Sequence, residues 1–344
     1  MEKKIYDNLG GNLEGTGITL EDAVVALGDL VLPRDCIVCG RQLRMKERHL
    51  CIYCMADLPL TYFWNRDHNP MADKFNAKIQ EVMINTAGSE GGSNGSVGFA
   101  IGLNGLIGER YEYATALFFY QSESGYKKIP QQLKYHSNLS AGRFFSHLLG
   151  LEMGDSPIYQ DVDCVIPVPL YWSRKWERGY NQAAIVAQEI AKVLGAVVNT
   201  SVLYRAKHTK TQTKLSIEDK RNNVSTAFKI HDKKLVSLRG VRHILLVDDV
   251  FTTGATLTAC FTVLRKALST YSVSPVGNSS VGAATAGAAS VGSSPAETAG
   301  TFPAESSSAR TTGTFFAESS SPTEAAERPY IRISIATLGF VSNI

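Results

Sequence analysis

The sequence predicts an α/β fold, an open and mostly parallel twisted sheet with helices on both faces. Three observations carry it. From residue 163 onward, short apolar runs alternate with stretches of helical apolar spacing, as in strands joined by crossover helices. The run ILLV at 244–247, ending in Asp248 and Asp249, is apolar without alternation, as expected of a strand covered on both faces. PYIRISIATLGF at 329–340 alternates apolar and polar residues and reads as one further strand.

The chain has 344 residues, a net charge of +3 and 44% hydrophobic residues. That allows one large domain or two ordinary ones around a normal core. So small a charge does not by itself imply a nucleic-acid or membrane partner. No apolar run is long enough to span a bilayer, and MEKKIYDNLGGNLEG has no signal-peptide core behind its lysines. A cytoplasmic protein without a membrane span is expected.

In chain order, 1–32 is a polar tail leading into an amphipathic helix. TLEDAVVALGDLVLP (19–33) carries the capping-box pattern Thr19/Asp22 and ends at Pro33. Residues 33–60 hold four cysteines. Residues 61–109 read as a linker, with the Gly/Ser-rich TAGSEGGSNGSVG at 86–98. The main domain covers 110–271. Within it YEYATALFFYQ (111–121) is a strand and 127–150 is helical, with Pro130 in the first turn. DCVIPVP is a short buried strand. YNQAAIVAQEIAKVLG is a helix with Gly195 as its C-terminal cap. AVVNTSVLYR and STAFKI are strands, and ATLTACFTVLRKAL is the helix after HILLVDDV. Residues 272–327 are nearly all Ser, Ala, Gly, Thr, Pro, Val and Glu, with the near-repeat GTFPAESSS and GTFFAESSS. This composition predicts a disordered insertion in one crossover. Residues 328–344 then supply the last strand of the same sheet.

The stretch ILLVDDVFTTGAT (244–256) carries the chemistry. Ligands of open α/β sheets bind beyond the carboxyl ends of the strands, where Asp248 and Asp249 fall. A turn can aim both acids at vicinal hydroxyls. The following turn offers backbone N–H groups at a helix start, a ready anion site. Thr252, Thr253 and Thr256 add hydroxyls, Gly254 permits the tight backbone, and Ala255 opens the helix. A diol clamp one sugar away from a phosphate cradle describes a ribose 5-phosphate. The turn lacks the lysine of a triphosphate P-loop. The alternative is a capped strand-to-helix turn with solvated acids.

Two basic stretches accompany it. VIPVPLYWSRKWERGYNQ (165–182) places Arg174, Lys175 and Arg178 in a loop before a helix. Such a loop suits a second anionic group, or is simply solvated. Residues 203–234 hold nine Lys or Arg and three acids. They read as a mobile flap, a solvated loop or a non-specific nucleic-acid patch.

Cys36-x2-Cys39-x11-Cys51-x2-Cys54 has the spacing of two knuckles around one structural Zn²⁺; a redox pair is the alternative. His49 is surplus to the four and is expected to be solvated. Arg41, Arg44, Lys46 and Arg48 give the knuckle a basic surface. Cys164 and Cys260 read as buried small hydrophobes.

The acid pair with its Thr-Gly turn resembles the 5-phosphoribosyl 1-diphosphate (PRPP) signature of type I phosphoribosyltransferases. Pro-Val-Pro-Leu, then Arg178-Gly179-Tyr180-Asn181-Gln182, is similar to the ComF-like branch, with Tyr in place of Phe. Arg205, Thr211, Gln212, Leu215, Arg221, Val224 and Phe228 resemble the flexible loop of glutamine PRPP amidotransferases and ComF-like proteins. A four-cysteine knuckle ahead of such a domain is also the ComF-like arrangement. The resemblance covers about 33–60, 110–271 and 328–344. It implies that Asp248 and Asp249 hold the ribose hydroxyls and Thr252–Thr256 the 5-phosphate. Arg221, Arg174 and Arg178 would meet the diphosphate, and Mg²⁺ would be held mainly by PRPP. It implies a displacement at ribose C1, with no acceptor indicated. Alternatively it implies a non-catalytic role in competence-linked uptake of single-stranded DNA, with DNA or a helicase as partner.

Overall fold

The computed structural model describes residues 28, 33–89, 110–120, 123–135, 138–206, 227–273 and 331–342. The chain divides into a unit of Met1–Ser274 with Pro329–Ile344 and a second, Pro275–Arg328. The second unit lies outside the described residues. So do the 272–327 insertion from residue 274 on, nearly all of the N-terminal helix expected at 19–33, and the flap at 207–226 with Arg221, Thr211, Gln212, Leu215 and Val224.

Seven strands and seven α-helices are named here. The strands are β1 (Ala114–Tyr120), β2 (Cys164–Pro167), β3 (Val197–Val198), β4 (Leu203–Arg205), β5 (Phe228–Ile230), β6 (His243–Phe251) and β7 (Arg332–Val341). The helices are α1 (Ile52–Ala56), α2 (Pro70–Ser89), α3 (Lys128–Tyr135), α4 (Leu139–Gly154), α5 (Trp172–Arg178), α6 (Gln182–Leu194) and α7 (Ala255–Val273). Five strands form one sheet in the order β1-β7-β6-β2-β3. Every pairing in it is parallel. β4 and β5 form a separate antiparallel ribbon, with Leu203 opposite Ile230.

β7, last in sequence, lies between β1 and β6: Ile335 is in register with Ala114 on one side and Leu246 on the other. Residues 333–340 are all buried, because a central strand of a doubly covered sheet has no wet face. On one face α2 and α7 pack Met71, Phe75, Leu257, Phe261 and Leu264 against Ile244, Leu246, Ile333 and Ile335. On the other, α4 and α6 pack Phe145, Leu149, Val186 and Ile190 against Val165, Leu245, Val247 and Ala336. The predicted fold class is thus the observed one.

Several local expectations need correction. The reading of 61–109 as linker misses α2, which enters the core from Pro70 onward and continues through Thr86–Ser89. Its signal is in the sequence. The Asn69 side chain accepts from the Met71 and Ala72 amides at 3.1 and 2.9 Å, and Pro70 takes the first helical position, where no amide is needed. AVVNTSVLYR is two strands in two sheets, because Asn199 turns the chain: its Oδ1 accepts from the Ser201 and Val202 amides. The helical stretch at 127–150 is α3 and α4, separated at Asn138, which caps α4 through Ala141 N–H at 3.0 Å. The basic loop at 172–178 is the helix α5.

Candidate functional site

Asp248 and Asp249 lie toward the carboxyl end of β6, beside the topological centre of the sheet. Asp248 is half-buried and Asp249 buried. The Asp249 amide donates to Asp248 Oδ1 at 2.9 Å, which fixes the first carboxylate. The Lys134 ammonium of α3 meets Asp249 Oδ2 at 2.9 Å. Burial pushes the Asp248 carboxyl up to about 7. The charge of Asp249 adds to the rise, while the Asp249 amide, Lys134 and Arg205 oppose it. Two acids thus share the site, and near neutral pH one of them holds a proton for part of the time.

The turn after β6 has the geometry its composition implies. Thr252 and Thr253 are exposed, and Gly254 takes φ +77° before α7, a helix of 19 residues. The Thr253 hydroxyl accepts from the Ala255 amide at 3.5 Å, and the Gly254 carbonyl accepts from the Thr258 amide at 2.9 Å. A Cβ on Gly254 would lie 2.6 Å from Cζ of Phe251, a ring buried in the core. Gly254→Ala is therefore expected to destabilise the fold by about 1–3 kcal/mol. A lowered urea midpoint with an unchanged slope would show it.

The Arg-Gly-Tyr-Asn-Gln stretch has local structural work. Gly179 ends α5 at φ +78°. The Tyr180 hydroxyl donates to the Leu133 carbonyl of α3. Asn181 caps α6 through the Ala183 amide at 3.2 Å and donates to the Val168 carbonyl at 3.0 Å. It therefore ties Pro-Val-Pro, α3 and α6 together around the end of the sheet. Arg205, where β4 leads toward the flap, is pushed below its usual range by burial and then by the charge of Arg174, with Asp248 acting the other way. Arg174, Arg205 and Asp248 thus share one electrostatic neighbourhood. Thr252–Thr256 follow the acid pair after two residues, Val250 and Phe251, which end β6. Arg178 is half-buried on α5, and Arg221 lies outside the described residues. Sequence reasoning did not find Lys134. Only its place on a short helix with two lysines, Lys128 and Lys134, hinted at it.

The four predicted cysteines do converge. The sulfurs of Cys36, Cys39, Cys51 and Cys54 all lie within 4.8 Å of one another, with Cys39 and Cys51 at 3.7 Å. A tetrahedral Zn²⁺ with Zn–S bonds of about 2.3 Å requires sulfurs about 3.8 Å apart, so the set fits. Burial pushes the Cys51 and Cys54 thiols up, and a bound dication would relieve that crowding by taking them as thiolates. The knuckle is fastened to the domain: Lys128 Nζ donates to the Val38 carbonyl and the Tyr126 hydroxyl to the Cys54 carbonyl, both at 3.0 Å. His49 lies outside the four-sulfur cluster and is half-buried rather than fully solvated. It packs on Phe144 at 5.3 Å between centroids, and burial pulls its pKa down to about 4. Purified protein is expected to carry one Zn²⁺ per chain by elemental analysis, and Cys36→Ser to lower that stoichiometry. Cys164 and Cys260 are buried as expected. Among the described residues, no helix is long and apolar enough to cross a membrane.

No family model matches the chain. It is 37% identical over 139 residues to competence protein F of Haemophilus influenzae, a match covering 40% of this chain and 60% of that protein. It is 33% identical over 129 residues to the DNA utilization protein YhgH of Escherichia coli O157:H7, covering 37% of this chain and 55% of the relative. The YhgH of Salmonella typhi is 35% identical over 95 residues, 28% of this chain and 40% of the relative. The chain thus spans about half the length of the curated relatives it matches. Their names support the ComF-like resemblance.

Proposed function

We propose that the chain binds PRPP with Mg²⁺ at the carboxyl end of β6 and transfers its phosphoribosyl group to an acceptor. The observation that carries this is the adjacent pair Asp248 and Asp249, half-buried and buried, followed within a few residues by the positive-φ turn that opens α7. The carboxylates accept from the ribose hydroxyls. The turn amides and Thr252, Thr253 and Thr256 receive the 5-phosphate. The C1–oxygen bond to diphosphate breaks as the acceptor bonds to C1; diphosphate keeps the bonding electrons and the acceptor gives up its proton. Mg²⁺, held mainly by PRPP itself, would share the diphosphate charge. Arg174, Arg178 and the flap residue Arg221 are the cations for that charge. Zinc in the four-cysteine knuckle is structural, and the protein acts in the cytoplasm. The 110–271 segment with 328–344 is the phosphoribosyltransferase-like domain, behind the knuckle of 33–60.

A second reading is favoured by the relatives' names: a PRPP-binding accessory protein in competence-linked DNA uptake, contacting single-stranded DNA or a helicase. The exposed Arg41, Arg44, Lys46 and Arg48 of the knuckle suit such a contact. Diphosphate release from PRPP, assayed with Mg²⁺ and a panel of bases, separates the readings. Release with any base supports the transferase. PRPP binding with no release for any base removes turnover and leaves the accessory role. Absence of PRPP binding overturns the site itself.

A further inference from the structure

Helix α5 has two faces of different exposure. Arg174 and Arg178, four residues apart, are half-buried, and Arg174 shares the electrostatic neighbourhood of Arg205. Trp172, Lys175 and Trp176 form the other face and are exposed. Trp172 is 69% and Trp176 88% exposed. Residues four apart on a helix stand side by side, so the two indoles make one surface, extended by Tyr171 at 5.7 Å from Trp172. No residue of this helix is buried, so neither tryptophan serves the core.

We infer that Trp172 and Trp176, with Lys175 between them, form a stacking platform for single-stranded nucleic acid. Exposed flat rings beside cations match a strand whose base faces are open and whose backbone is anionic. The helix carries three cations, Arg174, Lys175 and Arg178, against one acid, Glu177. That charge complements phosphate. WSRKWER contains no aliphatic Leu, Ile or Val, so its apolar surface is wholly aromatic, the kind on which bases stack. The inference rests on the nucleic-acid reading for its ligand class, and it puts the contact on α5 rather than on the knuckle. The inward arginines of the same helix serve the sugar-phosphate site, so one short element joins the two surfaces.

The chain has three tryptophans, and the third, Trp64, is fully buried. Quenching of intrinsic fluorescence by a surface-bound strand therefore reports α5 above a constant Trp64 emission. Titration of the full chain with a 15-mer of oligothymidylate is expected to quench emission saturably, with affinity falling as salt rises. By anisotropy of a labelled oligomer, Trp176→Ala should weaken binding about 5- to 100-fold. Trp172→Ala with Trp176→Ala should weaken it further, and Trp176→Phe should keep most of it. All three variants should melt at the wild-type temperature and bind PRPP unchanged. Unaltered oligomer affinity in the double variant, with loss in Arg41→Ala/Arg44→Ala, would move the contact to the knuckle and overturn the inference while the nucleic-acid reading stood. Failure of the wild-type protein to bind the oligomer would overturn both. Dimerisation or binding to anionic vesicles that Trp176→Ala removes, without oligomer binding, would give the face to another occupant and overturn it.

Discussion

Arg265→Met is expected to lower stability by about 3–5 kcal/mol, the usual consequence of removing one partner of a buried ion pair. Arg265 of α7 meets Glu112 Oε1 at 2.7 Å and donates to the Ile331 carbonyl at 2.6 Å. The two side chains are only 4% and 2% exposed. The guanidinium thus joins the helix after β6 to the chain segments entering β1 and β7. Without it, Glu112 keeps a charge in a dry place, and the Ile331 carbonyl loses a donor. In a domain of this size the loss corresponds to a fall in melting temperature of about 10 °C. Glu112→Gln should cost less, about 1–3 kcal/mol, because the amide still offers an acceptor. The double variant Arg265→Met/Glu112→Leu should recover much of the loss, since no lone charge remains. A single-variant cost near zero in thermal and urea melts would mean that the pair is solvated.

The second large effect concerns pH at the acid pair. Affinity for ribose 5-phosphate or PRPP is expected to rise between pH 6 and 8, by up to about tenfold per unit below the Asp248 titration. Burial and the Asp249 charge hold that titration at about 7. The ribose hydroxyls donate, so they need the carboxylate and compete with its proton. The ligand phosphate titrates too, near 6, so the comparison is with Asp248→Asn, whose profile should lose the step near 7. Asp249→Asn should weaken binding at every pH, by tenfold or more, since a hydrogen bond to a charged group contributes roughly 1.5–3 kcal/mol. Unchanged binding in that variant would refute the diol clamp. Stability runs the other way. The folded state holds a proton on Asp248 that the unfolded chain, titrating at its ordinary 3.8, has released. Ligand-free stability therefore falls as pH rises from about 4 to 7. Asp248→Asn should raise the melting temperature above pH 7, by about 2–4 °C for each kcal/mol regained, and change it little at pH 4.

The sheet, its helices and the four-cysteine cluster were legible because each rests on a local signal. Periodicity marked α6 and α7, the apolar run marked β6, and knuckle spacing marked the thiols. What was missed depends on contacts distant in sequence. Lys134 becomes part of the site only because Tyr180 and the knuckle hold α3 over β6. α2 reads as linker because its last turn enters the Gly/Ser-rich stretch 86–98, although Asn69-Pro70 announces its start. The basic segment 172–178 reads as a loop because one tryptophan pair four apart among charges is too short to establish a helical period. Its helix buries nothing, so periodicity had nothing to report.

The place of β7 has a consequence for how the protein is made. Among the described residues, β7 is the one strand of the sheet that pairs with β1. While the ribosome still holds residues 331–342, the β1 segment and the half built on β2 and β6 share no strand edge. The sheet cannot be completed as the chain emerges; its two halves wait, each with an open edge, through the synthesis of the Ser/Ala-rich stretch. Such late, long-range closure is slow and leaves edges that invite mispairing. The interval before those last residues arrive is when a chaperone would matter most to this protein.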